Sequence, residues 1–533
     1  MLRLRAMQEP DRAAVIVEGG PEMTFEEWER RSDAVAHGLL DRGVRPGDRI
    51  GLLFGSRDWT DFAVAFCAVH KAGAAAVPVS DRLAPAEVRH MLEHCSASAV
   101  LCGSGLVAPE DLFESLSGGS SDGPLGGSAR PPSGGGRWSA AVADLEGATD
   151  TPPGVPVEPG DLAQILYTSG TTGLPKGVGA SHANLAYGCE TRLNRRRFGH
   201  SRHLLHAFPI GTNAGQTMLI NALDARPAML TLARFTPARF ARLIESRGVG
   251  TVFVVPAMAI EFLNAGLHDR HDMSSVRLLG SAASALPPAV ATRLAAAFPR
   301  ATITNYYTST EAAPAQTIMI FDPSRPGALG RPAAGAALRV ADAEGNALPR
   351  GETGEVWLRS PTAPRSYYRD ERSGGGTFRG GWVRMGDLGY LDDEGYLHLV
   401  DRESDVVKSG AFKVSTIQVE AALHEHEDVA EAAVVGVPHP VLGTVVAAAV
   451  VLRSTGPARP GEDAAGADAA VVGTAGGFAG ELRAFLKERL AGHELPDRVL
   501  VVDALPRNQS GKVIKRELRG LFEAAAAGRT EGT

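Results

Sequence analysis

The sequence has few cysteines, no long apolar run and no excess of basic residues, and each absence excludes a class of protein. The cysteines are far apart and form no C-x-x-C pair, so we predict neither a disulfide framework nor a zinc site. No apolar stretch reaches the length of a membrane span, so we expect no membrane partner. The formal net charge of −7 argues against a nucleic-acid-binding protein, because such domains are usually basic.

Residues 1–15 alternate between charged and apolar side chains and contain no continuous apolar core. This pattern does not match a secretory signal peptide. We therefore expect a cytoplasmic protein. With 44% hydrophobic and 22% charged residues, the composition is that of an ordinary globular protein.

The chain of 533 residues is longer than one hydrophobic core usually supports, so we predict at least two domains. In the first part, short apolar strands alternate with helical patterns, which indicates a mostly parallel sheet with helices on both faces. From Asp401 the pattern restarts as a smaller unit. The predicted fold is α/β, with a large N-terminal domain over residues 1–400 and a small C-terminal α+β domain over residues 401–533.

Two stretches have the composition of flexible surface loops, at about 117–136 and about 455–480. Elsewhere the pattern predicts strands at 164–167, 251–256, 276–280, 301–308, 432–437, 445–452 and 498–502, with helices at 257–267, 287–298, 417–426 and 481–491. Ligands of such sheets bind at the carboxyl ends of the strands. Polar clusters follow three of these strands, at 167–176, 280–284 and 307–311, and we expect them to converge.

The stretch YTSGTTGLPKGV, residues 167–178, has the composition of a phosphate-binding loop but does not match the common one. A Walker-type loop needs the spacing G-x-x-x-x-G-K-[ST], in which the residue after the lysine binds magnesium. Here Pro175 precedes Lys176 and Gly177 follows it, which makes a Walker-type nucleotidase the least favoured interpretation. Backbone amides and hydroxyl groups of such a turn can still surround a pyrophosphate, although GTTG alone is equally typical of a surface loop.

The whole string Ser-Gly-Thr-Thr-Gly-x-Pro-Lys-Gly resembles the signature loop of the adenylate-forming superfamily. This superfamily comprises acyl-CoA synthetases, the adenylation domains of peptide synthetases, and luciferases. Further segments resemble its other motifs, in the same order and over nearly the whole chain: TFEEWERRSDAVAHGLLDRGVRPGDRI at 24–50, GSAASALPP at 280–288, YTSTEA at 307–312, WVRMGDLGYLDDEGYLHLVDR at 382–402, and LPRNQSGKVIKREL at 505–518.

The resemblance implies an AMP-forming ligase that uses ATP and Mg²⁺. A carboxylate attacks the α-phosphorus of ATP, an acyl-adenylate forms, and pyrophosphate leaves; the acyl group then passes to a thiol, with CoA as the expected acceptor. Like charges meet at the α-phosphorus, so the site needs cations that absorb the developing charge. The resemblance further implies a hinge that joins the large domain to a mobile small domain.

The resemblance also implies roles for residues at matching positions. The expected phosphate contacts come from the signature loop: Thr168, Ser169, Gly170, Thr171, Thr172, Gly173 and Lys176. Thr310 is expected at the α-phosphate, and Glu311 is expected to ligate Mg²⁺. Lys512, on the small domain, is expected to bridge the substrate carboxylate and the α-phosphate.

The nucleoside end has its own implied residues. Tyr307 is expected to stack on adenine, next to the loop that contains Ser281 and Ala282. Asp387 is expected to accept hydrogen bonds from both ribose hydroxyl groups, with Arg402 as a further ribose contact.

Two departures from the family pattern concern the acyl side. Tyr306 and Thr308 stand where the family often has glycine, so we expect a narrowed acyl pocket. The segment FPIGTNAGQ at 208–216, with Thr212 and Asn213 as candidate substrate contacts, lacks the aspartate that pairs an α-ammonium group. A buried ammonium group without a charge partner is costly, so we predict a small or aromatic acid without an α-amino group.

The hinge region departs as well, since Ser404 replaces the usual Asp or Lys and Ala411 replaces a glycine. The adenylation half therefore matches the family better than the transfer half. One alternative is a stand-alone ligase that loads an acyl carrier protein or uses a non-thiol nucleophile. A binding protein without turnover is a further alternative, and four intact residues argue against it: Lys176, Glu311, Asp387 and Lys512.

Overall fold

The computed structural model describes residues 1–103, 137–168, 175–333, 335–409, 412–439, 442–453, 471–473, 476–508 and 511–530. Within these ranges the α-helices are Leu2–Gln8, Phe25–Asp41, Trp59–Lys71, Pro85–His94, His182–Ala186, Asn213–Asp224, Pro237–Arg247, Pro256–Asn264, Pro288–Ala297, Glu371–Thr377, Thr416–Leu423, Gly476–Lys487 and Lys515–Thr530. Of the described helices, none is long and apolar enough to cross a membrane.

Two large sheets dominate the N-terminal part of the described chain. In order of neighbours, the nine-stranded sheet consists of Arg331–Pro332, Thr317–Ile320, Thr302–Tyr307, Leu278–Ser281, Thr251–Val254, His203–His206, Ala228–Thr231, Ala13–Val17 and Glu22–Thr24. The seven-stranded sheet consists of Ser366–Tyr367, Lys176–Ser181, Leu162–Thr168, Ala75–Ser80, Arg49–Phe54, Ala99–Cys102 and Trp138–Ala141. Central strands pair in parallel, and antiparallel pairing occurs towards the edges.

The helix Trp59–Lys71 packs against strands of both sheets, Ala13–Val17 and Arg49–Phe54. Its sequence is apolar on nearly every side, and a helix of that kind is stable only when it is buried. Trp59 is fully buried and meets the ring of Phe62 edge to face, with the ring centroids 5.7 Å apart. This helix therefore forms the core that joins the two sheets.

A third sheet of five strands follows in the described chain, and its strands pair antiparallel. It consists of Ala337–Ala341, Gly354–Arg359, Trp382–Leu391 and Phe378–Arg379, with Leu397–Arg402 paired to Trp382–Leu391. Its register places Asp387 directly opposite Arg402. The sheet therefore brings two predicted nucleoside contacts side by side.

The C-terminal part contains a six-stranded sheet within the described residues: Phe412–Val414, Val407–Ser409, Gly443–Leu452, Arg498–Val502 and Val471–Gly473, with Val429–His439 also paired to Gly443–Leu452. One apolar cluster packs Val434 and Val450 against Leu482. A second cluster packs Val435 against Leu518 and Phe522 of the last helix. Both clusters contain only residues after position 406, which supports a separate small domain; its boundary at 400/401 stays a prediction.

The predicted α/β class is confirmed, and several elements lie within a few residues of their predicted bounds. The strand predicted at 498–502 is Arg498–Val502, and the helix predicted at 257–267 is Pro256–Asn264. The loop predicted at about 455–480 is wrong at its end, because Val471–Gly473 is a strand and a helix begins at Gly476. Phe478 and Leu482 are one helical turn apart and pack on the same cluster, which explains the earlier helix start.

Three other predictions fall on residues that the structure does not describe. They are the insertion at about 117–136, the loop residues from Ser169 to Gly173, and the substitution at Ala411. The antiparallel five-stranded sheet was not predicted, because its strands mix charged with apolar residues and carry no long continuous apolar run.

Candidate active site

The candidate site forms where strand ends of the two large sheets meet. Thr168 ends the strand Leu162–Thr168 of one sheet, and Glu311 follows the strand Thr302–Tyr307 of the other. The hydroxyl group of Thr168 donates a hydrogen bond of 3.4 Å to Oε1 of Glu311. Ser281 pairs in register with Asn305 on the neighbouring strand. The three predicted polar clusters therefore lie at one crevice.

Lys176 begins a strand rather than a helix. The strand Lys176–Ser181 pairs antiparallel with Leu162–Thr168, and Lys176 lies directly opposite Thr168. The signature loop therefore joins two strands of a hairpin, whereas a Walker-type loop leads from a strand into a helix. This geometry agrees with the mismatch to the Walker spacing.

Glu311 is held by groups that the sequence did not single out. The hydroxyl group of Tyr367 donates to Oε1 of Glu311 at 3.2 Å, the same oxygen that Thr168 reaches. Arg365 is buried, and its Nη1 donates to the carbonyl oxygen of Thr310 at 3.0 Å. Burial lowers the pKa of Arg365 to about 10, and the nearby charge of Glu311 opposes that shift. These contacts fix the conformation of the Thr310–Glu311 turn.

The chemistry of Glu311 fits a magnesium ion. Both hydrogen bonds reach Oε1, and none of the described residues donates to Oε2. A carboxylate oxygen is the kind of ligand that Mg²⁺ prefers, usually together with phosphate oxygens and water. Glu311 can therefore offer one free oxygen to the ion.

Tyr307, Asp387 and Arg402 form a connected group at the nucleoside end. The hydroxyl group of Tyr307 donates to Oδ2 of Asp387 at 2.6 Å, and Nε of Arg402 lies 3.4 Å from Oδ1. Burial raises the pKa of Tyr307 well above its usual range, and the Asp387 charge adds to the shift. Burial also raises the pKa of Asp387, while Arg402 and the Tyr307 hydrogen bond oppose the change.

Lys512 reaches this crevice from the C-terminal part of the chain. Its backbone N–H donates to the side-chain oxygen of Asn508, and Gly511 before it has a φ of +79°. A Cβ atom on Gly511 would lie 3.2 Å from Val255 of the N-terminal part, so glycine suits both the conformation and the close approach. The turn thus places Lys512 against the large domain.

The surroundings of Lys512 disfavour its charge. Burial lowers the pKa of Lys512 to about 8, and the Arg402 charge acts in the same direction. Asp387 and Glu311 oppose the shift. A bound anion would restore the charge, because it adds negative potential beside the ammonium group. Lys512, Asp387 and Glu311 thus act on one another although they are far apart in sequence.

Asn305 was missed by the sequence reasoning, which considered only the YTSTEA segment. Its Oδ1 atom is buried and has no partner among the described residues, and the same is true of Oγ of Ser281 next to it. Buried polar atoms usually have partners, so this pair suits a ligand that supplies a hydrogen-bond donor. The backbone N–H of Ala282 is engaged with the Val254 carbonyl oxygen. The sequence did contain one indication of its role, because Asn305 is a polar residue two positions before Tyr307.

Tyr306 lies on the opposite face of its strand from Asn305. Its ring packs on Phe253, with the centroids 5.8 Å apart, and Gly280 lies between these two residues on the intervening strand. A Cβ atom on Gly280 would approach the Phe253 ring to 2.6 Å and the Tyr306 ring to 3.0 Å. The two aromatic rings therefore cover the space above this glycine.

The other predicted substrate contacts are engaged in local structure. The hydroxyl group of Thr308 donates to the Ala315 carbonyl oxygen at 2.6 Å. Thr212 caps the helix Asn213–Asp224: its hydroxyl oxygen accepts from the Gly215 N–H, and the hydroxyl donates to Pro209. Asn213 is the first residue of that helix. Their roles as substrate contacts stay predictions.

The hinge segment is tied to the small domain near Asp401. The Asp401 carboxylate accepts hydrogen bonds from the backbone N–H and the hydroxyl group of Thr416. Nζ of Lys515 lies 2.8 Å from the Thr416 hydroxyl oxygen and 3.3 Å from Asp405. Asp401 and Asp405 are therefore connected through Thr416 and Lys515 to the C-terminal part of the chain.

Two family models match the chain. The model of AMP-binding enzymes matches residues 2–368, and the model of the C-terminal domain of AMP-binding enzymes matches residues 418–512. The matches cover each of the predicted site residues except Asp387 and Arg402, which lie between the two.

Curated relatives and solved structures match over nearly the full length. The feruloyl-CoA synthase of an Amycolatopsis species is 31% identical over 532 residues, which cover 97% of each chain. The fatty acid–[acyl-carrier-protein] ligase ScoC of Streptomyces coeruleorubidus is also 31% identical and covers 97% of this chain and 95% of its own. The O-succinylbenzoate coenzyme A synthetase of Bacillus subtilis, solved with AMP, superposes with a TM-score of 0.77 at 25% identity, over 97% of both chains.

Proposed function

We infer the reaction of this chain from its family, because it belongs to the AMP-binding enzymes. It is an AMP-forming ligase of the acyl-CoA synthetase type. It activates a small-molecule carboxylic acid with ATP to an acyl-adenylate and releases pyrophosphate. It then transfers the acyl group to a thiol, with CoA as the acceptor.

The roles of individual residues are our proposal. They are supported by the close approach of the Gly511–Lys512 turn to Val255 of the N-terminal part, where the charges of Asp387 and Glu311 act on Lys512. In the first step, a carboxylate oxygen of the acid bonds to the α-phosphorus while the bond from that phosphorus to the pyrophosphate oxygen breaks. Lys512 holds both the entering carboxylate and the α-phosphate, whose negative charges otherwise repel each other. The hydroxyl group of Thr310 donates to an α-phosphate oxygen.

The pyrophosphate end is held by the signature loop, with Thr168 and Lys176 at its two ends. The loop residues Ser169, Gly170, Thr171, Thr172 and Gly173 supply backbone N–H groups and hydroxyl groups to the β- and γ-phosphates. Glu311 would hold Mg²⁺ through Oε2. The ion, when bound, neutralises charge on the leaving pyrophosphate.

The nucleoside end is held by the group around Asp387. Tyr307 stacks on the adenine, the Asp387 carboxylate accepts from the ribose hydroxyl groups, and Arg402 keeps that carboxylate charged. The buried Oδ1 of Asn305 accepts a hydrogen bond from the exocyclic amine of adenine, which supplies the donor that this atom lacks. Ser281 and Ala282 line the other side of the base.

The acid is small or carries a single aromatic ring, and it has no α-amino group. The Tyr306 and Phe253 rings cover the space above Gly280 and leave an apolar wall, which favours a flat or short acyl group. The segment from Phe208 to Gln216 offers no carboxylate that could pair an ammonium group. Burial of an unpaired ammonium group would weaken the binding of amino acids.

CoA is the first candidate for the acceptor. A carrier protein is the second candidate, because one relative is a ligase for an acyl carrier protein. In both cases we propose that residues 401–533 rotate against residues 1–400 about Ser404 between the two steps. We place the enzyme in the cytoplasm, where its four cysteines stay reduced.

The test is a panel of carboxylic acids assayed for pyrophosphate release and for the nucleotide product. AMP should form in proportion to the acid consumed, and single-ring acids should exceed both long-chain acids and amino acids. Each active acid is then assayed with CoA and with a phosphopantetheinylated carrier protein. Formation of ADP and phosphate without AMP would overturn the proposal, and a preference for the carrier protein would select the second acceptor.

A further inference from the structure

Three adjacent strands place Thr168, Lys176 and Tyr367 on one face of the seven-stranded sheet. Thr168 is opposite Lys176, and Tyr367 is opposite Val178, two residues beyond Lys176. Side chains two positions apart on a strand point to the same face, and diagonal neighbours on adjacent strands are within reach of an aromatic ring. Tyr367 therefore stands beside the phosphate-binding lysine although it is distant from it in sequence.

Tyr367 contacts both charged groups at the magnesium–phosphate end. Its ring lies under Lys176, with Nζ 5.0 Å from the ring centroid, and its hydroxyl group donates to Oε1 of Glu311 at 3.2 Å. An ammonium group over the face of a tyrosine ring is attracted to it. One side chain thus fixes a cation and an anion relative to each other.

The Tyr367 ring is held in place by the ring of Phe378. The two rings meet edge to face, with their centroids 5.2 Å apart and an angle of 74° between their planes. A tyrosine hydroxyl group keeps its proton at neutral pH. A protonated phenol beside a carboxylate can act only as a hydrogen-bond donor to it.

We propose that Tyr367 is the positioning residue of the magnesium–phosphate end of the site. Its hydroxyl group donates to Oε1 of Glu311 and so leaves Oε2 for the metal. Its ring holds the ammonium group of Lys176 in position. Outer partners of this kind orient a metal-binding carboxylate and affect metal affinity through it. The inference rests on the proposed roles of Glu311 and Lys176.

The test compares Tyr367→Phe with Tyr368→Phe. The first variant keeps the ring under Lys176 and loses only the hydroxyl group. The second removes a hydroxyl group from the next residue, whose ring points to the opposite face towards His94. Binding of α,β-methylene-ATP, which is not cleaved to pyrophosphate, is measured by calorimetry with magnesium chloride and again with EDTA. Thermal melting of both variants checks the fold.

Tyr367→Phe should weaken binding in magnesium by roughly tenfold, as expected for one lost hydrogen bond to a charged group. In EDTA it should bind as the unaltered protein does, because the ring and Lys176 are unchanged. The magnesium concentration for half-maximal pyrophosphate exchange should rise to a similar degree, and the KM for the acid should not change. Tyr368→Phe should match the unaltered protein in each assay.

Glu311→Gln separates a failure of this inference from a failure of the proposed function. If Glu311→Gln raises the magnesium requirement and Tyr367→Phe does not, the carboxylate binds the metal but Tyr367 does not position it. If Glu311→Gln has no effect, the proposed role of Glu311 itself fails. Because Tyr367 acts through Glu311, the double variant should be no weaker in magnesium than Glu311→Gln alone, and additive losses would overturn the inference.

Discussion

The hydroxyl group of Tyr307 donates a 2.6 Å hydrogen bond to Oδ2 of Asp387, and this bond links two residues that the nucleoside would contact separately. Tyr307 ends a strand of the nine-stranded sheet, while Asp387 lies in the five-stranded sheet. The bond therefore fixes the position of the Tyr307 ring relative to the Asp387 carboxylate. In the roles that we propose, Tyr307 stacks on adenine through its ring and positions Asp387 through its hydroxyl group.

Tyr307→Phe should retain the stacking on adenine and lose the hydrogen bond to Asp387. Loss of a hydrogen bond to a charged group costs about 1.5–3 kcal/mol, so AMP should bind roughly tenfold or more weakly. Tyr307→Ala should weaken AMP further because stacking is lost as well. Calorimetric titration with AMP measures the affinity of both variants.

Tyr390→Phe serves as the control, because Tyr390 lies in the same strand as Asp387 but is stacked on His398. Equal affinity of Tyr307→Phe and the unaltered protein would show that the hydroxyl group does not matter.

Tyr306→Gly should widen the acyl pocket, because it removes one of the two rings above Gly280. A methylene group in an apolar pocket is worth about 1–3 kcal/mol, so relative kcat/KM should shift about tenfold towards longer acids. Thr308→Gly should have a smaller effect, since the Thr308 hydroxyl group is bound to the Ala315 carbonyl oxygen. The measurement is a chain-length series of acids. Tyr306→Phe should keep the original profile, and an unchanged profile in Tyr306→Gly would place the ring outside the pocket.

The pH dependence of adenylation should reflect the pKa of Lys512, which burial lowers to about 8. The protonated amine is the active form, so kcat/KM for ATP should be constant below that pH and fall as the pH rises through it. At saturating ATP the fall should move to higher pH, because bound phosphate raises the pKa again. Lys512→Arg should be slower but should lack the decline near pH 8, since arginine stays charged. A decline that persists in Lys512→Arg would assign it to another group.

Much of the fold could be predicted from the sequence because buried parallel strands are continuous apolar runs. For this reason we could predict the strands Thr251–Val254 and Leu278–Ser281 and the helix between them. The five-stranded sheet was not visible, since strands such as Ala337–Ala341 are half exposed and mix charged with apolar residues. Its existence depends on pairing between distant segments, which local composition does not encode.

The site was predicted from motifs, and motifs identify residues within one segment. Tyr367, Arg365 and Asn305 were missed because their importance comes from contacts across strands, such as the bond from Tyr367 to Glu311. The pKa of Lys512 is likewise a property of the assembled site. The predicted roles of the loop residues from Ser169 to Gly173 stay predictions.

We propose that Lys512, carried by the C-terminal part, acts in adenylation and not in acyl transfer. Lys512→Ala is therefore assayed in both half-reactions, as acid-dependent ATP–pyrophosphate exchange and as thioester formation from a chemically supplied acyl-adenylate. Ser404→Pro is the reciprocal variant, because proline fixes φ and stiffens the hinge, and it should slow transfer more than exchange.

The two rates of Lys512→Ala give the most direct test. The rate of exchange should fall by a factor on the order of 10²–10³, which corresponds to a barrier higher by roughly 3–4 kcal/mol. A loss of this size is expected when one preorganised donor to a developing charge is removed. Transfer from the supplied acyl-adenylate should proceed at the rate of the unaltered protein. Equal loss of both half-reactions, or exchange that survives the substitution, would contradict the account.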